Sequence, residues 1–214
     1  MNRAELRAAR RDDVSGAGPT LEDRPRSRFP GKAGAFAFFG EVLTTGLLIV
    51  AAGILVVTLP AALAAGVRHL RRYLAAEGSP VRLFWRDFIA ALRGGLVVGL
   101  AVVLLSAVLA LDVALAGSGA LPGGVVIGAV GWAGLVATAT ALLFAAAAWT
   151  PERGWRGAVR SIPSAAAADP IGALYLAATA FFVGLSAWML VPLIIPALGC
   201  AALAVIAIPA RRTT

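Results

Sequence analysis

The residues of this 214-residue chain that could do chemistry are few and lie far apart. Cys200 is the only cysteine and His69 the only histidine, so an intrachain disulfide is excluded and a zinc site lacks its ligands. His69 sits in Arg68-His69-Leu70-Arg71-Arg72, a cationic run that repels a metal ion. Cys200 falls in the last apolar segment, where a small buried hydrophobe is expected. No Ser/His/Asp set can be assembled from the sequence, and Gly117-Ser118-Gly119 with Leu121-Pro122-Gly123-Gly124 reads as a turn. No Walker A or GxGxxG run follows a strand-like segment. The residues therefore point to no catalytic set, no metal and no cofactor, and so to a protein that is not an enzyme.

Two acids remain. Glu41 stands near the inner end of the first apolar helix and Asp112 near the outer end of another, and an ionisable group in such a segment is costly and often functional. Asp112 lies within about two turns of its helix end, so it either snorkels to the interface or serves a pathway. No chain of carboxylates crosses the membrane midplane, which argues against a proton-coupled pump.

The elements that carry these residues are apolar. Sixty per cent of the chain is hydrophobic and 14% charged, against roughly 25% charged in soluble domains. Mean hydropathy is +0.87. Uncharged stretches run from Glu41 to Arg68, from Asp112 to Glu152 and from Asp169 to Arg211, each long enough to span hydrocarbon. A water-soluble enzyme with one core is excluded, and the net charge of +8 flanks apolar spans, so its expected partner is anionic lipid headgroups, with no nucleic acid.

The expected fold is all-α: a polytopic transmembrane helical bundle of five to six membrane helices plus a cytoplasmic amphipathic helix. Residues 1–35, with eight basic and five acidic side chains among Gly, Pro and Ser, form an expected disordered basic tail ahead of a helical domain over 36–210. The run from Phe36 to Val67 would measure roughly 48 Å as one helix against a core of about 30 Å, so Pro60 either turns the chain into a hairpin or kinks it. Thr58 can cap a new helix. The expected helices are about 36–58, 60–76 (short or re-entrant), 81–93, 95–116, 124–149, 171–191 and 193–209.

Arg68, Arg71, Arg72, Arg82, Arg86 and Arg93 mark a cytoplasmic connection at the membrane surface by the positive-inside rule. Within it Val81, Phe84, Trp85, Phe88, Ile89 and Leu92 recur at helical spacing, with Arg82, Arg86, Asp87 and Arg93 largely opposite. Phe84, Trp85 and Phe88 are then interfacial aromatics, for the acyl boundary, the base of the bundle or a partner's groove. Arg153, Arg156 and Arg160 return the chain to the cytoplasm, and Pro192 and Pro196 turn the last apolar block so that the C-terminus is cytoplasmic. Gly95 and Gly99, and Gly124 and Gly128, offer smooth faces for helix packing.

Phe38-Phe39-Gly40-Glu41 opening an apolar helix, Val56-Val57-Thr58-Leu59-Pro60-Ala61-Ala62-Leu63 leading to Arg71-Arg72, Phe84-Trp85-Arg86-Asp87-Phe88, and a helix ending in Asp112 resemble the YesL-like family of bacterial integral membrane proteins over about residues 36–115. The resemblance implies a multi-pass protein of the bacterial plasma membrane with no established activity, associated with carbohydrate uptake and its ABC transporter permease subunits. It implies an accessory or assembly partner; a small transporter using Asp112 and Glu41 is the alternative.

Overall fold

The computed structural model describes residues 31–77, 79–119 and 122–211, with side chains from residue 35. Most of the expected tail lies outside the described residues. Helix α1 (Gly31–Ala52) is already formed at Gly31, so the helical region begins before residue 36. The chain then turns through a 3-10 segment at Val56–Thr58 into α2 (Leu59–Leu74), followed by α3 (Val81–Gly117), α4 (Gly124–Ala148), α5 (Gly154–Arg160), α6 (Ile162–Ala168) and α7 (Pro170–Met189). A second 3-10 turn at Val191–Leu193 leads into α8 (Ile194–Ala210). Every regular element among the described residues is helical, and the fold is an all-α bundle.

Among the described residues, five helical segments are long and apolar enough to cross a membrane: Ala35–Ala52, Val81–Gly117, Gly124–Ala148, Pro170–Met189 and Val191–Ala210. Only 6% of the apolar window of α3 is buried in the protein, so its Leu and Val side chains have no core to enter. Leu100, Leu104, Val108, Leu111 and Leu115 face outward along its second half, as lipid-facing residues do. The protein is an integral membrane protein.

The first apolar block is a hairpin, with α2 folded back on α1. The hydroxyl of Thr58 donates to the Ala52 carbonyl at 2.7 Å and the Leu55 carbonyl at 2.6 Å, so it closes the turn instead of capping α2. Pro60 lies in the first turn of α2, where its missing N–H removes no intrahelical bond. Helix α2 has 16 residues, and Pro60 to Val67 are all buried. It runs antiparallel to α3: methyls added at Gly95 and Gly99 would meet the Ala61 side chain and the Val57 carbonyl. The α1–α2 turn therefore stops beside Gly99, with roughly 27 Å of α3 beyond it.

Helix α3 is two helical segments joined at a break, where Arg93 (ψ 106°) and Gly94 (φ +82°) leave the helical conformation. A left-handed φ suits glycine, which has no Cβ to strain. The Trp155 side chain packs on Gly94, and its indole N–H donates to the Ala91 carbonyl at 2.7 Å, pinning α5 to the break.

Close packing elsewhere also uses glycine. Gly46 and Gly199 make a reciprocal contact between α1 and α8, each against a backbone carbonyl of the other helix, at Ile195 and Val42 respectively. Gly124, Gly131 and Gly134 seat α4 on Ala116, Val113 and Leu109 of α3, whereas Gly128 has looser contact, 3.4 Å from the Ala116 methyl to an added Cβ. Cys200 is exposed, contrary to the buried position expected, because Gly199, Ala201 and Ala202 take the inward side of α8.

Candidate functional site

The buried ionisable residues among those described, His69 and Asp87, lie where α1, α2 and α3 meet. Helix α2 presents Arg68, His69 and Arg72; Arg68 and Arg72 are one turn apart and so share a face. Both reach Asp87 of α3. Arg68 Nε donates to Asp87 Oδ2 at 3.1 Å, and an Arg72 Nη donates to the same oxygen. The Asp87 side chain is only 4% exposed, so its charge is compensated by these two guanidiniums with little help from solvent. Arg68 also stacks its guanidinium over the buried Trp149 ring, 5.9 Å from the centroid.

A second carboxylate lies beside the first pair. His69 Nε2 is 2.8 Å from Glu41 Oε1, and the Ser79 hydroxyl donates to that oxygen at 3.0 Å. His69 is fully enclosed, with Phe84 edge-on to its ring at 6.2 Å. Its Nδ1 and one Arg72 Nη are buried without a hydrogen-bond partner among the described residues. The fold thus brings together a serine, a histidine and an acid, the residue types whose assembly the sequence did not suggest. Their connectivity is different from that of a Ser–His–acid nucleophile, where imidazole lies between hydroxyl and carboxylate and removes the hydroxyl proton. Here Glu41 is in the middle.

Asp87 is a correction. It was expected on the polar side of the 81–93 segment, but it lies three residues after Phe84 and four before Ala91, and all three are buried. Arg68 and Arg72, expected free at the membrane surface, turn inward to it. Arg71, Arg82, Arg86 and Arg93 remain exposed. The aromatic trio divides: Phe84 is buried, Phe88 half-buried and Trp85 exposed, with ring centroids 5.5 to 6.5 Å apart. Gly95 is buried against Trp155 and Ala61 of α2, Gly99 against Val57 of the 3-10 turn before α2, and Gly124 touches α3.

Glu41 and Asp112 do not converge. Glu41 is tied through His69 to Phe84, before the break in α3, and Asp112 lies after it, 18 residues or roughly 27 Å of helix beyond Gly94. Asp112 is half-buried in the closing turns of that helix. No group of three or more His, Cys, Asp or Glu able to hold a metal occurs among the described residues. At the opposite edge, Asp169 caps α7 by accepting from the Gly172 N–H at 2.9 Å and pairs with Arg211 at 2.6 Å, joining the ends of α7 and α8.

A signal for the buried cluster was present in the spacing. Two arginines one turn apart on an alanine-rich helix, followed by an aspartate whose i−3 and i+4 neighbours are apolar, describe charges facing each other across a helix pair. Comparison with known proteins finds no matching family model, no matching curated protein and no matching solved structure.

Proposed function

We propose that this multi-pass membrane protein is a non-enzymatic accessory or assembly partner of a transport system. A carbohydrate ABC uptake system in the bacterial plasma membrane, with the C-terminus cytoplasmic, is what its resemblance to the YesL-like family implies. The observation that carries the reading is the engagement of the buried polar groups with one another. Glu41 is held by His69 and Ser79, and Asp87 by Arg68 and Arg72, so neither carboxylate is presented to a solute. The roughly 27 Å of helix between the break at Gly94 and Asp112, with the cluster on the other side of that break, argues against a pathway shared by the two expected acids.

Affinity purification from a native membrane and reconstitution of the pure protein into liposomes test this together. The expected result is co-purification of ABC permease subunits and no sugar flux from the protein alone. Substrate-specific flux abolished by Asp112→Asn would replace the accessory reading with the small transporter.

A further inference from the structure

Between α3 and α4 runs an apolar crevice of about 470 Å³. Val97 and Leu105 line one wall, Ala141 and Ala145 the other, and Val159 and Ile162 close one end. The hydroxyl on its wall, that of Thr138, donates back to the Gly134 carbonyl at 2.8 Å and offers nothing to a polar guest. At the closed end the surface changes character. Arg156 and Arg160 are exposed one turn apart on α5, flanking Val159, and none of the described acids pairs with either. Arg93 is exposed at the α3 break, to which Trp155 fastens α5.

An apolar slot ending at unpaired cations matches an amphiphile with an anionic head. We propose that the crevice holds an acyl chain of one anionic phospholipid and that Arg156 and Arg160 bind its headgroup phosphate, with Arg93 adding to the positive field. The fit is one of charge and shape: hydrocarbon against a wall without free hydrogen-bonding groups, and phosphate where the guanidiniums have no partner among the described residues. The site is independent of any role in transport.

Native mass spectrometry of the detergent-purified protein, titrated with phosphatidylglycerol or phosphatidylcholine of the same chains, tests the proposal. The wild type should retain phosphatidylglycerol preferentially, and Arg156→Gln/Arg160→Gln should weaken that retention about tenfold. Arg82→Gln/Arg86→Gln, with the same charge loss on an exposed face of α3, should leave it unchanged. Ala141→Phe, which fills the crevice, should lower retention of both lipids; if that variant fails to fold, the exposed arginine pair still decides. Equal loss in the two double variants would mean diffuse attraction and overturn the site. So would equal retention of the two lipids, displacement of the lipid by millimolar inorganic phosphate, or a folded Ala141→Phe protein that changes oligomeric state without changing lipid retention.

Discussion

Asp87 is the residue whose environment allows the least substitution. It answers two guanidiniums, so neutralising it leaves Arg72, whose side chain is 13% exposed, without its counter-charge. Removing one member of such a pair costs about 3–5 kcal/mol. Asp87→Asn should therefore lower the melting temperature in detergent far more than Arg68→Gln, because Arg68 is 27% exposed and can be solvated. Equal shifts for the two would mean that the pair is not buried in solution. The neighbouring rings separate in the same way. Phe84→Ala should cost about 3–5 kcal/mol as a cavity in packed surroundings, more than Trp85→Ala, and Trp85→Ala should in turn exceed Arg86→Gln, whose side chain has no ion pair among the described residues. Thermal melts of the three variants in one detergent give the order. The sequence showed the 3.6-residue rhythm of this segment, but it showed apolar and polar sides only. The apolar i−3 and i+4 neighbours of Asp87 hint at its burial, but its partners are not given by that rhythm, because they lie 15 and 19 residues earlier on another helix.

Helix α2 shows where segment-by-segment reading stops. The long apolar blocks were legible because each must cross hydrocarbon unaided, and length and composition suffice to reveal that. Helix α2 is different: its apolar stretch before Arg68 is too short to span, and it is buried because α3, α4 and α8 pack around its alanines. Such enclosure is a property of several helices at once. The turn at Thr58 was legible in place, although not in mechanism, since its hydroxyl reaches back to α1. Glycine spacing was equally ambiguous. Gly99 and Gly128 belong to similar sequence motifs, yet an added methyl at Gly99 would strike the Val57 carbonyl while one at Gly128 would only touch a methyl. Gly99→Ala should therefore destabilise the protein much more than Gly128→Ala. Gly94→Ala should lose about 1–2 kcal/mol through its left-handed φ alone. Denaturant titrations of the three proteins would check both statements, and equal midpoints for Gly99→Ala and Gly128→Ala would contradict the packing at the turn.

On the scale of the whole molecule, the distribution of basic residues sets an orientation that labelling can read. With exposed Cys200 first replaced by alanine, a cysteine at Ser118, just beyond α3, should react with an impermeant thiol reagent in intact cells, whereas one at Ser15 should be protected. Strong labelling at Ser15 would place that residue outside the cell and contradict the orientation that the charge pattern implies. The Arg68–Asp87 and Arg72–Asp87 contacts also govern how the protein can be made. Translation delivers the arginines first, so for the time needed to synthesise the next 15 to 19 residues the growing chain holds them without the carboxylate they meet in the fold. Such a charge opposes transfer into lipid by about 2.5–3.5 kcal/mol at the centre of a helix and by less toward the end, where Arg68 and Arg72 stand. The first hairpin is consequently a poor independent client of the insertion machinery. A chain extended past Asp87 should therefore insert more completely than one ending before Val81, and equal insertion of the two would show that the α1–α2 hairpin needs no help from α3.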